Sequence, residues 1–278
     1  MFSLPTFPNF IHHLERLRKA LPAVTSLIVL LSTSAASAQT FQSGVTKANL
    51  IELYTSEGCS SCPPADNWFS SLKEHPKLWQ KFVPVAFHVD YWDWIGWKDE
   101  FAKPGYGERQ KDYRSKGNTR SVYTPGFFVN GREWRDFFSQ NGKPKIPFGD
   151  AQGGFLEATL LDQKLSVKYQ PVAGATNKSA ELHANIALLA FNESNFIKWG
   201  ENIGKSLHHD FIAVELKQVA LSINQDNVYT ANLNQLKIPP PQKGEKKDNQ
   251  YALAIWVSDG GTLNVLQATG GWLQQTND

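Results

Sequence analysis

The stretch EGCSSCPPAD, residues 57–66, contains the only two cysteines of the chain, Cys59 and Cys62. Two serines separate them, and two prolines follow. Proline is tolerated in the first turn of a helix, because the backbone N–H groups there have no intrahelical partner. The stretch therefore predicts a helix that starts just after Cys62. It leaves three uses open for the cysteines: redox chemistry, a metal site or a structural disulfide.

The flanking segments predict a strand–helix–strand unit. ANLIELY, residues 48–54, is a short apolar run typical of a buried strand. After the cysteines, apolar side chains recur at helical spacing, and a second strand follows in which apolar residues alternate. The helical set is Ala65, Trp68, Phe69 and Leu72, and the alternating set is Val83, Val85, Phe87 and Val89. We expect these two strands to be parallel and adjacent.

The next segments continue this first region to residue 140. Residues 91–117 are polar and aromatic, with a short helix predicted over residues 107–116. An apolar strand at residues 127–129 precedes Asn130-Gly131, a pair that suits a tight hairpin turn. A strand after this turn would run antiparallel to the one before it.

The character of the chain changes near residue 141. Residues 141–154 are rich in glycine, proline and charge, which is typical of a linker. Three long strands are predicted beyond it, and a final hairpin is predicted at the SDGG turn. The three strands span residues 155–169, 180–191 and 207–223, and the hairpin spans residues 251–267. We therefore expect residues 155–278 to form a small antiparallel β-sandwich.

The first 38 residues resemble an export signal. A basic stretch precedes a short apolar run and the small-residue pattern Ala36-Ser37-Ala38; an uncleaved membrane anchor is the alternative. These residues hold three of the 28 basic and one of the 26 acidic side chains, so the remaining chain is electrically neutral. Neutrality argues against a nucleic-acid partner. Export to the periplasm or the medium would place the cysteines where a disulfide persists, and no later segment predicts a membrane span.

The position of the cysteines favours redox chemistry. A helix N-terminus carries a partial positive charge that lowers the pKa of a cysteine placed there. Cys59 would then be the outer, attacking sulfur, and Cys62 the resolving sulfur. Thr124-Pro125 precedes an apolar strand, and a proline there can take the cis form and present its backbone to a partner at the sulfurs.

Four sequence motifs make the chain resemble a known family. The region 47–140 resembles the thioredoxin fold, with CSSC as the redox motif and TPGFFVNG as the proline loop. LYTSEGCSSCPPAD, FHVDYWDWIGWKDEFA, RSVYTPGFFVNG and, more loosely, ENIGKSLHHDFIAVEL are similar to exported bacterial proteins of domain of unknown function family 1223. The resemblance implies an α/β thioredoxin-like domain followed by a smaller all-β domain. It carries function only as far as the CSSC pair.

Four further residues are accessory candidates, each with a structural alternative. Glu52, inside the first strand, could exchange a proton with Cys62 or lie at the rim of the sheet. His88 could reach the cysteines or pack in the core. Asp90 lies at the end of a strand, where α/β sites collect, and could assist proton transfer. Trp92 belongs to an aromatic cluster that would form either a ligand groove or a buried wedge between domains.

The sequence thus predicts a thiol–disulfide oxidoreductase that acts on protein or small-molecule thiols through Cys59 and Cys62, without a cofactor. One alternative is a binding module with a structural disulfide. Another is a Cu(I)- or Zn(II)-handling protein, which would need more ligands than the two thiolates. No bound metal is predicted, because methionine is absent after Met1 and the histidines are scattered. Among them, His208 and His209 should point to opposite faces of a strand.

Overall fold

The computed structural model describes residue 1 and residues 38–140, 144–174, 181–239 and 251–274. The described residues from 38 onward belong to one compact unit. The predicted export signal lies outside the described residues, apart from its two ends. No helix among the described residues is both long and apolar enough to span a bilayer.

The described residues contain far more strand than helix. The α-helices are α1 (Pro63–Ser71), α2 (Pro104–Ser115) and α3 (Asp136–Ser139), and short 3-10 helices lie at Leu72–Glu74 and Asp90–Ile95. In the first half of the chain the strands are β1 (Gln39–Gln42), β2 (Asn49–Thr55), β3 (Phe82–His88), β4 (Gly126–Val129) and β5 (Arg132–Glu133). In the second half they are β6 (Phe155–Leu161), β7 (Lys164–Gln170), β8 (Leu182–Ala190), β9 (Glu193–Phe196), β10 (Ser206–His209), β11 (Ile212–Ala220), β12 (Ser222–Ile223), β13 (Tyr229–Leu233), β14 (Tyr251–Asp259) and β15 (Val265–Trp272).

The predicted strand–helix–strand unit is confirmed. Strands β2 and β3 pair in parallel, with Leu50 opposite Val83 and Leu53 opposite Ala86. Helix α1 connects them, with proline in its first turn. Helix α2 starts three residues before the predicted boundary, at Pro104. Strands β4 and β5 form the predicted hairpin, with Asn130 at a φ of 51° and Gly131 at 84°.

The predicted fold class is wrong, because one eight-stranded sheet runs through both halves of the chain. Its order is β15-β14-β8-β11-β3-β2-β4-β5. Strand β11 joins β3 at Ile212 opposite Ala86, so there is no α/β thioredoxin-like domain followed by a small all-β domain. The pairs β11–β3 and β2–β3 are parallel, and all other pairs of this sheet are antiparallel.

Burial on both faces explains why the second half joins the central sheet. In β8 the alternating residues Leu182, Ala184, Ile186, Leu188 and Ala190 are buried, and Ala187 and Leu189 between them are buried as well. Such strands need cover on both sides, which a central position in a large sheet provides. A second, five-stranded sheet of order β1-β6-β7-β13-β12 shares a hydrophobic core with β8 and β14.

Two of the long predicted strands are in fact broken by turns. Residues 155–169 form the hairpin β6–β7, where Asp162 and Gln163 adopt positive φ values of 50° and 61°. Residues 207–223 divide into parts of β10, β11 and β12, with a break at Phe211, whose φ is also 61°. Because of this break, β9 and β10 form a separate two-stranded hairpin.

Candidate functional site

Cys59 and Cys62 form a disulfide at the start of α1. Their Cα atoms are 5.4 Å apart, and Cys62 is the N-cap residue of the helix. The backbone N–H groups of Ala65 and Asp66 donate to the Cys62 carbonyl at 2.8 and 3.1 Å. Both cysteines are buried, with exposed fractions of 1% and 0%. The disulfide therefore lies at a helix start, as the sequence predicted, but beneath the protein surface.

The connection between β9 and β10 lies against the turn that carries Cys59. We call residues 197–205 the cover loop. The buried Asn202 side chain donates from Nδ2 to the carbonyl of Glu57 at 2.8 Å and to that of Cys59 at 2.9 Å. The backbone N–H of Ser60 donates to Glu201 Oε2 at 3.2 Å. The buried Asn202 amide thus bonds to the backbone on both sides of Gly58, in the turn that leads into the disulfide.

Trp92 approaches the same turn from the other side. A Cβ atom on Gly58 would lie 3.1 Å from the Trp92 Cβ, so the absence of a side chain permits this contact. Trp92 Nε1 donates to Thr124 Oγ1 at 2.7 Å, and the Thr124-Pro125 peptide bond is cis. Trp92 therefore links the residue before Cys59 to the predicted proline loop.

The Glu57 carboxylate joins three separate segments behind the disulfide. It is fully buried and accepts hydrogen bonds from Trp97 Nε1 at 2.8 Å and from Asn195 Nδ2 at 3.0 Å. His209 Nε2 lies 3.2 Å from Glu57 Oε1. Sequence reasoning missed this residue, and its only signal was an acidic side chain two positions before Cys59. Its partners lie in distant segments of the chain, and no sequence pattern relates them to Glu57.

A second buried acid–histidine pair lies beside the first. His88 Nδ1 and Asp99 Oδ2 are 2.7 Å apart, and both side chains are inaccessible to solvent. Burial opposes a charge on His88, but Asp99, Asp66 and Glu57 outweigh it and raise the pKa of His88. Burial likewise opposes the charge of Asp99, but His88 and two backbone N–H groups outweigh it and lower the pKa of Asp99. We therefore describe the two residues as an ion pair.

Asp66 lies one helical turn after Cys62, between α1 and the sheet. It lines a small internal space together with His88, His209 and Asp210. Burial raises the pKa of the Asp66 carboxyl, although His209, His88 and the nearby Thr55 hydroxyl partly offset the effect. Among the described residues, Asp66 Oδ2, His88 Nε2 and His209 Nδ1 have no hydrogen-bond partner. Buried polar atoms without partners are rare in folded proteins.

The sequence matches one family model, that of a protein of unknown function designated DUF1223, over residues 50–258. The chain belongs to the DUF1223 family. No curated protein matches it.

Solved structures also resemble this chain at low sequence identity. HBP35 of Porphyromonas gingivalis is 14% identical, with a TM-score of 0.54, over 85% of this chain and 79% of that one. A crystal structure of a protein from Agrobacterium tumefaciens is 19% identical, with a TM-score of 0.49, over 83% of this chain and 95% of that one. At these identities, the likeness to HBP35 concerns the fold alone.

In this DUF1223 protein, the Glu52 and Asp90 carboxylates lie against helix α2. Glu52 is on the α2 side of the sheet, where Arg109 and the Tyr113 hydroxyl donate to its carboxylate at 2.7 and 2.6 Å. That side is opposite the α1 side, which holds Leu53 and Asp66. The Asp90 carboxylate lies against Gly107 of α2. Asp66 lies on the α1 side and is also the buried acid nearest to Cys62 in the chain.

The histidines do not assemble into a metal site within the described part of the chain. No group of three or more histidine, cysteine, aspartate or glutamate side chains there is arranged to hold an ion. His208 is exposed and His209 is buried, which confirms that they point to opposite faces. His88 contacts the His209 ring, with centroids 4.8 Å apart, and pairs with Asp99.

Proposed function

We propose that this protein is an exported thiol–disulfide oxidoreductase in which Cys59 and Cys62 exchange with protein or small-molecule thiols. One observation carries the proposal. The disulfide closes at a helix start, one helical turn before a buried acid whose pKa is raised and which faces two buried histidines. A helix start favours thiolate formation, and buried titratable groups accommodate the protons that accompany reduction.

A purely stabilising role makes little use of this disulfide. The stabilisation that a crosslink gives by restricting the unfolded chain grows with loop length, and a four-residue loop gives only about 2 kcal/mol. The helix start is already hydrogen-bonded around the Cys62 carbonyl. Thiol–disulfide exchange therefore explains the cysteine pair better than the small stabilisation from such a short crosslink.

Access to Cys59 requires movement of the cover loop. The loop carries exposed apolar side chains, including Trp199 at 66% and Ile203 at 60% exposure. Trp94, at 81% exposure, lies on the neighbouring 3-10 helix, and Gly96 of that segment lies close to Gly200. Exposed aromatic side chains beside a reactive group suit contact with a polypeptide partner.

Three further residues have assigned roles in this proposal. Thr124 and Pro125 present the backbone that an incoming partner would meet. Trp92 positions them through its hydrogen bond to the Thr124 hydroxyl. Export rests on the sequence pattern of residues 1–38.

The proposal is tested by titrating the protein, without residues 1–38, against dithiothreitol and glutathione buffers of defined potential. We expect the disulfide to be reduced in the folded protein at a potential above about −300 mV. Cys62→Ser should then trap thiol partners on Cys59 as mixed disulfides, and Cys59→Ser/Cys62→Ser is the control that should trap none. A potential well below about −300 mV, together with no trapping, would overturn the proposal.

The second candidate is a binding protein with an inert disulfide. The near-complete burial of both cysteines favours it. The same titration separates the two, because an inert disulfide would resist reduction until the protein unfolds.

A further inference from the structure

Three unpartnered polar atoms surround one internal space under the first turn of α1. They are Asp66 Oδ2, His88 Nε2 and His209 Nδ1, and all three residues line that space. Their exposed fractions are 6%, 0% and 3%. Buried polar atoms without a hydrogen-bond partner are rare in folded proteins, so three of them around one space distinguish this part of the core.

The position of Asp66 relates these atoms to the disulfide. The Asp66 N–H donates to the Cys62 carbonyl at 3.1 Å, so the two residues are one helical turn apart. Residues at this spacing share one helix face, with Cβ atoms about 6 Å apart. Helical side chains lean towards the N-terminus, which directs Asp66 towards the turn that carries Cys62. Cys62 itself is fully buried, so bulk water does not reach its sulfur.

We propose that Asp66 exchanges a proton with the Cys62 sulfur during thiol–disulfide exchange, an inference that rests on the proposed function. During reduction, a partner thiolate attacks Cys59 Sγ and the S–S bond breaks. The Cys62 thiolate leaves and takes the proton of the Asp66 carboxyl. A second partner thiolate then attacks the mixed disulfide and releases the Cys59 thiolate, so the partner dithiol is oxidised to a disulfide.

Oxidation of the protein reverses these steps. Cys59 is then in a mixed disulfide, and the Asp66 carboxylate takes the proton of the Cys62 thiol. The Cys62 thiolate attacks Cys59 Sγ, the internal disulfide forms, and the partner leaves as a thiolate. Asp66 therefore has to be neutral in one redox state and able to ionise in the other.

The charged groups around Asp66 suit such a carboxyl. His88 of β3 and His209 of β10 face it across the internal space, and the negative charge of Asp99 lies behind His88. The Glu57 carboxylate accepts a hydrogen bond from His209 Nε2. Asp210 lines the same space, but Lys73 Nζ lies 2.8 Å from its carboxylate and neutralises it. Burial favours the neutral form of Asp66, and the histidines oppose this and keep ionisation within reach.

The test follows the second step of oxidation, which is unimolecular. Reduced protein is mixed with excess oxidised glutathione, and the conversion of the Cys59–glutathione mixed disulfide to the internal disulfide is measured by acid quench and mass spectrometry. In the unmodified protein, we expect this rate to rise with pH through an inflection at the raised pKa of Asp66. Asp66→Asn should remove the inflection and slow the step about a hundredfold, within the range of general-base catalysis.

Two further variants separate proton exchange from a structural effect. Asp66→Glu should restore the inflection at a lower rate. Asp210→Asn changes an acid that lines the same space but is paired with Lys73, so it should leave the inflection unchanged. If Asp66→Asn does not fold, the Asp66 carboxyl is followed by carbon-13 NMR in the oxidised and reduced unmodified protein. We then expect different titration curves in the two states.

Failure of this inference is distinguishable from failure of the proposed function. An unchanged pH inflection in Asp66→Asn, or identical Asp66 titration in both redox states, overturns proton exchange and leaves the oxidoreductase proposal in place. If the disulfide resists reduction until the protein unfolds and Cys62→Ser traps no thiol partner, both proposals are overturned.

Discussion

Replacing Asn202 by alanine should expose Cys59 to reductant. The Asn202 amide is fully buried and donates to the Glu57 carbonyl at 2.8 Å and to the Cys59 carbonyl at 2.9 Å. Its side-chain oxygen also accepts from Lys205 Nζ at 2.9 Å. No other side chain among the described residues donates hydrogen bonds from the cover loop to the backbone on both sides of Gly58.

The size of the effect follows from the two lost hydrogen bonds. Each contributes about 1 kcal/mol net, so opening of the cover loop should become easier by about 2 kcal/mol. A tenfold change in an equilibrium corresponds to about 1.4 kcal/mol, so the open population should rise about 30-fold. If reduction proceeds only from the open form, its rate should rise by the same factor.

The assay measures reduction of the disulfide by excess dithiothreitol at fixed pH, with quenching by iodoacetamide and mass spectrometry. Ile203→Ala is the matched control, because this side chain lies on the same loop and is 60% exposed. It should change the rate less than threefold. Urea unfolding of each variant establishes whether a rate increase comes from local opening or from loss of global stability.

An Asn202→Ala protein that is reduced at the wild-type rate would refute this reasoning. The cover loop would then not limit access to Cys59. A rate increase matched by an equal loss of global stability would refute it as well, because reduction would then follow unfolding of the whole protein.

Three further predictions concern the surroundings of the site. Glu52→Gln should lower the free energy of unfolding by about 3–5 kcal/mol in urea titrations, because it leaves Arg109, whose side chain is only 10% exposed, without a counter-charge. The raised pKa of His88 stabilises the fold fully below the ordinary histidine value of about 6.5, and this contribution should be lost as pH rises through the raised value. His88→Asn should therefore flatten the decline in unfolding free energy as pH rises above about 6.5. Gly58→Ala should cost about 1–2 kcal/mol and alter tryptophan fluorescence, because the new Cβ would lie 3.1 Å from that of Trp92.

Each of these predictions has a control. Glu108→Gln removes an exposed ion pair with Lys111 and should leave the free energy of unfolding almost unchanged; an equally small loss in Glu52→Gln would contradict the first prediction. An unchanged pH slope in His88→Asn would contradict the second. Gly105→Ala places its Cβ more than 4 Å from any neighbour and should be neutral or slightly stabilising. A Gly58→Ala protein as stable as this control would contradict the third.

The strand–helix–strand unit around the cysteines could be predicted because its signals are local. Proline in the first turn and helical spacing from Ala65 to Leu72 specify α1. Parallel pairing of β2 and β3 follows because a short crossover helix connects them. The fold class could not be predicted in this way, since the pairing of Ile212 with Ala86 joins residues 126 positions apart in the chain.

In the candidate site, too, some features follow from local sequence and others depend on tertiary packing. The sequence by itself determined that Cys59 and Cys62 lie at a helix start, because backbone geometry and unpaired N–H groups act within a few residues. Only the tertiary structure decided that Asn202, 143 positions from Cys59, donates a hydrogen bond to the Cys59 carbonyl. It also placed Glu52 on the far side of the sheet and left Asp66 facing two buried histidines. Burial and partners of polar groups depend on which distant strands become neighbours, and packing of the whole chain sets that choice.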